Sequence, residues 1–445
     1  MNHKTNSDRR KTQTVIFITV FLGFISYSLP YPIFSPLFLS TEHSFLPSAY
    51  STLTRTIILG IAMVLYPLGQ FLGNPIIGHL SDRFGRKKLL VLALIGTGLC
   101  DFSVAIAIAH QQLWLILLSL FGGGFAAGNI TIAQATAAEL STSNTKTKNF
   151  GLVNIAMNGG WIFGCLLGGK LADDNLVAWF NYSTPFYFSA LAYLCNLLLV
   201  FWLFPDSTIR MRQKLQIAAG FFAQIQKKSL RNLYAYTLLV FIASYFYFCY
   251  FAVFMVQKFN FGPSQIANFE AYLAVPLILA NYLLSPTIRY FGLARTSYLS
   301  MFALAVTLLI FLIPTSAWSM LLTVPLVAIG LTFAEVTSAL LISNAVSNKE
   351  QGATLGTYRS LVVLGEIIAS LVGGYLAGLH YNSPFFAGAI TAVMAGALLL
   401  WHNSRRTQHP VSDDLRRRDY SHEKHCHTFG FSKFIKTITG PKKRR

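Results

Sequence analysis

The chain has 445 residues, 54% of them hydrophobic and only 11% charged, with a mean hydropathy of +0.52. Soluble globular domains carry about 25% charged residues, so the composition excludes an ordinary water-soluble protein and points to one that crosses a bilayer many times. The formal net charge of +19 is concentrated in short gaps between apolar runs and at the two ends. That distribution fits loops obeying the positive-inside rule rather than a nucleic-acid-binding face.

A hydrocarbon core about 30 Å thick needs roughly 20 apolar residues per helix. Runs of that kind lie near 14–38, 54–80, 88–109, 113–139, 148–171, 184–204, 233–257, 266–288, 297–314, 318–344, 353–378 and 383–402. They are numbered here as spans 1 to 12. Span 1 follows a charged start, but it is too long for a signal peptide, ends in Pro30, Pro32 and Pro36, and lacks a small-x-small cleavage pattern, so it reads as a retained span. The expected fold is an all-α polytopic membrane protein with both termini on one side. Arg9, Arg10 and Lys11, then Arg83, Arg86, Lys87 and Lys88, then Lys146 and Lys148, the basic segment between spans 6 and 7, Arg289 and Arg295, and the basic tail all fall on that side. The opposite loops hold Lys170, Lys258 and, at the start of span 2, Arg55. Both termini are therefore expected in the cytoplasm.

Segment 205–232 is the longest internal hydrophilic stretch. It divides the chain into a first six-span half, 1–204, and a second, 233–402, followed by a basic cytoplasmic tail, 403–445. The part at 209–225 is basic and partly apolar, as is "FGFSKFIKTI" in the tail, and either can lie on anionic lipid. The halves repeat one another. Gly151, Gly160 and Gly168-Gly169 of span 5 have the spacing of Gly356, Gly365 and Gly373-Gly374 of span 11. Asn74, Phe84 and Gly85 find Asn281, Phe291 and Gly292 at one constant offset. Cys100, Cys165, Cys195, Cys249 and Cys426 show no paired spacing, so neither a disulfide framework nor a zinc motif is expected. The tail stretch "SHEKHCH" reads as solvated charge with chance histidines more readily than as a metal site, and no cofactor is implied.

Between spans 2 and 3 stands "GHLSDRFGRKK". Gly78, Asp82, Arg83, Gly85, Arg86 and Lys87 fill the pattern G-x-x-x-D-R-x-G-R-[KR], which resembles the signature loop of the major facilitator superfamily. Topology alone needs the basic residues but not the acid or the glycines. The resemblance implies two pseudo-symmetric six-helix bundles and a conformational latch, in which Asp82 meets the N-terminus of span 11 near 352–355. Arg83 and Arg86 would meet acids such as Glu139. The second-half copy, "SPTIRYFGLAR", keeps Phe291-Gly292 but has Arg289 at the position of the acid. Span 5, "GLVNIAMNGGWIFGCLLGG", resembles the G-x8-G-x3-G-P-x2-G-G pattern of proton-driven drug antiporters at Gly151, Gly160, Gly164, Gly168 and Gly169, with Cys165 in place of the proline. Dense glycine also serves helix packing alone. The arginine that those antiporters place in span 4 is missing from "LLSLFGGGFAAG".

Ionisable groups at bilayer depth cost at least a few kcal/mol and mark function or a buried pair. Asp101 lies roughly 20 Å in along span 3, Glu335 about 14 Å along span 10 and Arg359 about 10 Å along span 11. The matching depths predict a Glu335–Arg359 pair. Glu366, two turns beyond Arg359, has no ionic partner in its own half. A lone carboxylate in low dielectric is suited to exchange a proton, so Glu366 is the first candidate for proton coupling and Asp101 the second, against the alternative of a protonated, hydrogen-bonded acid. The aromatics of "SYFYFCYFAVF" in span 7 are expected to face lipid in part, with Tyr247, Tyr250 and Phe254 as a possible cavity stripe. Asn154 and Asn158 of span 5 are cavity or packing polar groups.

No nucleotide-binding loop and no catalytic constellation appears. The reading is a secondary transporter, not an enzyme, exporting a drug-like compound or metabolite against protons by alternating access. It would be a monomer in a bacterial inner membrane, with a small-molecule substrate, protons and lipid as its partners and no nucleic acid. Uptake of a nutrient is the alternative within the class; a non-transporting receptor or scaffold is the alternative outside it.

Overall fold

The computed structural model describes residues 6–40, 45–139, 146–204, 227, 230–346 and 351–408; at Asp82, Glu139, Gly151 and Asn154 it describes the backbone alone. The surface-helix segment 209–225 and most of the tail, with its histidines, lie outside the described residues. The described chain is all-helical. Eleven of its helical stretches are long and apolar enough to cross a bilayer. The remaining span, Lys146–Leu171, has 26 residues. Span 2 is Thr52–Phe84, span 3 Arg86–Ala109 and span 6 Thr184–Leu203. In the second half, spans 7 to 12 are Arg231–Phe259, Pro263–Phe291, Leu293–Ile310, Met320–Asn344, Gln351–Leu379 and Ser383–Gln408.

Two spans are broken, each where its sequence demands it. Span 1 consists of Asn6–Ser28 and Tyr31–Leu39, separated at Leu29-Pro30 because proline lacks the N–H that would continue the helix. Span 4 consists of Leu113–Ala126 and Gly128–Glu139, interrupted after its run of glycines. At the far end of span 2, Arg55 is buried and spends its guanidinium on backbone carbonyls: Tyr50 at 3.2 Å, Phe38 at 3.3 Å and Pro47 at 2.9 Å. It therefore staples the first connection instead of marking a charged loop.

The sequence repeat has a backbone counterpart. Gly85 links spans 2 and 3 at φ 100° and ψ 141°, and Gly292 links spans 8 and 9 at φ 80° and ψ 154°. That region of the backbone map is open essentially to glycine alone. The same hinge conformation thus recurs at the same place in each half.

Residues 6 and 408 mark the terminal face of the bundle, and the connections after spans 1, 3, 5, 7, 9 and 11 mark the far face. The halves are shut against each other toward the far face. A Cβ on Gly60 of span 2 would fall 2.7 Å from Ser370 O and 3.0 Å from Gly374 Cα of span 11. Gly169 of span 5 meets Pro263 and Ala267 of span 8, and Lys170 Nζ donates to Ser264 Oγ at 2.6 Å. One apolar cluster runs across this seam, joining Ile33, Phe38 and Leu59 of the first half to Tyr250, Ile266 and Ala377 of the second. Toward the terminal face no described atom lies within 4 Å of a Cβ at Gly78 or Gly356, and the cluster of Val20, Leu90, Ile132 and Val200 belongs to the first half alone.

Span 7 differs from its sequence expectation. Phe246, Tyr247, Tyr250, Phe251 and Phe254 are all buried. The span stands at the centre of the second half, packed by spans 10, 11 and 12 and by span 1, so its rings meet protein on every side. Phe254, for instance, packs tilted against Phe311 at 4.9 Å and edge-on against Phe385 at 5.4 Å.

The hinge glycine of the second half gives a clean test. Nothing lies within 4 Å of a Cβ at Gly292, so Gly292→Ala adds backbone strain without a clash. It should cost about 1–3 kcal/mol and lower the thermal midpoint of the purified protein; an unchanged midpoint would refute the hinge assignment.

Candidate functional site: a two-carboxyl cavity between the halves

The break at Pro30 turns the end of span 1 so that Tyr27 and Tyr31, one on each side of it, converge on span 11. Tyr27 Oη donates to Glu366 Oε1 at 3.1 Å and Tyr31 Oη donates to the same oxygen at 3.2 Å. Tyr245 of span 7 reaches the same carboxyl. Glu366 is 4% exposed, and no basic side chain pairs with it among the described residues. Phenol donors thus satisfy a carboxyl that would otherwise be stranded, and two of them come from the opposite half.

These residues bound a cavity of about 50 Å³ between the halves. Asp101 of span 3 lines it from the first half and Glu366 from the second. Ser189 of span 6 donates to Asp101 Oδ2. The rest of the wall is aromatic and apolar, chiefly Phe34, Met63, Tyr66, Leu120 and Phe186. Tyr27 packs on Tyr66 at 5.5 Å and on Trp161 at 5.7 Å, and Tyr31 packs on Trp161 at 4.8 Å. Ring faces carry negative quadrupole density, so the chamber suits a flat apolar body bearing positive charge.

The structure therefore brings Asp101 and Glu366 into one chamber and leaves the other candidates elsewhere. No ion pair joins Glu335 to Arg359. Their depths match as expected, but Arg359 is exposed and Glu335 is turned toward Ser244, so the arginine acts on it through space only. Tyr250 lines neither this chamber nor the smaller one beside it; its hydroxyl donates to Ser370 O and its ring covers Gly373. Asn158 is exposed and lines neither this chamber nor the smaller one beside it, which Tyr247 lines. Gly160, Gly164 and Gly168 let span 5 lie against the span 1 backbone at Phe21, Ile25 and Leu29, while Cys165, at the motif's proline position, donates its thiol to Ser28 O at 3.7 Å. In the signature loop Arg86 Nη1 donates to Ser81 Oγ at 2.6 Å, Arg83 lies over Phe84 at 5.3 Å and Lys87 over Phe201 at 5.8 Å. The side chains of Asp82, Glu139 and Asn154 lie outside the described set.

Sequence reading missed Tyr27, Tyr31, Tyr66, Trp161 and Glu270. The pair of tyrosines four residues apart around Pro30 was a usable signal. Glu270 lies four residues past the expected start of span 8, at 266. The helix begins at Pro263, which puts Glu270 about 10 Å inside it.

The model of the Major Facilitator Superfamily matches residues 16–334, and again 233–438. The chain belongs to the Major Facilitator Superfamily. Multidrug resistance protein 2 of Bacillus subtilis is 25% identical over 412 residues, covering 90% of this chain and 98% of that one. Quinolone resistance protein NorA of Staphylococcus aureus is 24% identical over 397 residues, covering 87% and 95%. Among solved structures, a D-xylose–proton symporter superposes with a TM-score of 0.70 at 13% identity, covering 87% of this chain and 96% of that one. The human organic anion transporter MFSD10 superposes with 0.62 at 20% identity, covering 88% and 99%. The fold is that of superfamily transporters, and this member is a multi-pass secondary transporter.

The tyrosine bonds to Glu366 tie the halves together midway along span 11, next to the far-face seam. Replacing both phenols, Tyr27→Phe with Tyr31→Phe, should loosen that seam. Spin labels at exposed Asn175 and Ser316, in far-face loops of opposite halves, should then report longer distances than in the parent; an unchanged distribution would show that the bonds hold nothing shut.

Proposed function

We propose that this transporter exports aromatic, positively charged small molecules in exchange for protons, with Glu366 as the coupling carboxyl and Asp101 as its counterpart in the first half. The observation that supports this most is the placing of one carboxyl from each half in a single aromatic chamber, with Glu366 free of any basic partner among the described residues and bonded across the seam. A carboxylate attracts an organic cation, and a carboxylic acid does not, so one group holds either a proton or the substrate. Release of one on binding of the other is the elementary step of antiport. The names of the bacterial relatives, which are resistance proteins, agree with export.

In this reading 1–204 and 233–402 are the moving bodies, 205–232 joins them and 403–445 forms a basic tail. The chain works without enzymatic chemistry, as a monomer, in a bacterial inner membrane. Loop charge puts the terminal face in the cytoplasm, so the conformation described is shut toward the outside. The far-face seam must part for release, and the signature loop must then close the terminal face. There Asp82 meets the start of span 11, and Arg83 and Arg86 reach Glu139.

Two outcomes test the proposal. In inside-out vesicles with an acid lumen the protein should accumulate ethidium, and Glu366→Gln should abolish the proton-driven part while Asp101→Asn reduces it. Accumulation by Glu366→Gln at the parent's rate, with the parent's pH dependence, would reject the coupling assignment. Asp82→Asn should slow turnover at normal protein abundance; full activity would reject the latch.

A further inference from the structure

A second chamber lies beside the first, walled by Tyr31 and Trp161 from the first half and by Tyr247, Phe251 and Glu270 from the second. Tyr31 lines both chambers and is the partition between them. Two polar atoms here are buried without a hydrogen-bond partner: Glu270 Oε2 and Tyr247 Oη. Tyr247 is completely buried. Cys165 lies beside the Glu270 carboxyl but leaves Oε2 unsatisfied. Orphaned buried polar atoms are rare and call for an occupant. The niche has room for about 10 Å³, the space of one water-sized group. An ammonium group is of that size. It donates hydrogen bonds where both orphans can accept, it carries the charge a carboxylate attracts, and the surrounding ring faces favour a cation.

We propose that this niche seats the ammonium group of an N–H-bearing amine, whose aromatic body lies past Tyr31 in the central cavity. The inference rests on the function proposed for that cavity and narrows it. Glu366 meets the cation generally, whereas Glu270 and Tyr247 select amines that still carry N–H over quaternary ammonium compounds, whose methyl groups neither fit the niche nor donate to it. Glu270 thus acts as a specificity residue, distinct from the coupling carboxyl.

The test is calorimetric binding of 2-phenylethylammonium and of its N,N,N-trimethyl derivative to the purified full-length protein in lipid nanodiscs. The parent should prefer the primary amine by about tenfold or more, since a charged hydrogen-bonded contact is at stake. Glu270→Gln should erase the preference by weakening the primary amine alone, and Tyr247→Phe should reduce it by a few-fold. Retained binding of the trimethyl compound by Glu270→Gln shows that the variant is folded. A parent without preference, or a Glu270→Gln protein that keeps it, overturns the niche. If the primary amine is lost only in Glu366→Gln, the niche holds water alone and the central cation site stands. If neither compound binds the parent, the aromatic-cation reading of the central cavity falls with the niche.

Discussion

The carboxyl of Glu366 is buried in a seam that offers it no basic partner among the described residues. Such a group costs several kcal/mol unless it is protonated, hydrogen-bonded or paired. Tyr27 and Tyr31 answer that demand from across the seam, so the group that must be satisfied also fastens one half to the other. Much else in the architecture serves this junction. Pro30 breaks span 1 where the two phenols have to converge. Gly160, Gly164 and Gly168 bring span 5 against the same stretch of span 1, and Gly60 with Gly374 removes the side chains that would hold spans 2 and 11 apart.

A seam built in this way has two stable uses. In the proposed cycle the far face stays shut while the carboxyl is bonded to the phenols. Once a cation competes for the carboxylate, the phenols lose their acceptor and the junction has less to hold it. The glycine contacts suit such a surface because they are close and uncharged, with no ion pair among the described residues to break on separation. The paired hinges at Gly85 and Gly292 place matching turns at the terminal face of each half, as expected of two bodies that move as units.

The membrane architecture was legible in the sequence because lipid imposes a length and a hydropathy on each crossing; most span limits read from composition fall within about five residues of the helix ends, while span 1 begins earlier, at Asn6, and span 12 runs on to Gln408. The repeat was legible too, since Gly85 and Gly292 do a job that no other residue does well. What the sequence did not show was which helices stand at the centre. Span 7 looks as greasy as a lipid-facing helix, and only its neighbours reveal that its aromatics are core. Depth along a helix placed Glu335 and Arg359 at one level without saying which way each turns, and an expected pair does not form. Glu366 and Asp101 were visible as costly residues. That they share one chamber depends on the packing of seven different spans, which no periodicity in a single helix encodes.

The central claim is competition between proton and organic cation at one carboxyl. It is tested most directly by following pH in a weakly buffered solution of the purified transporter as a quaternary aromatic ammonium, with no N–H proton of its own to lose, is added. The account predicts release of up to about one proton per cation bound, by the reciprocity of linked binding, and no release from Glu366→Gln. Cation binding without proton release by the parent, or the same release from Glu366→Gln, would contradict it.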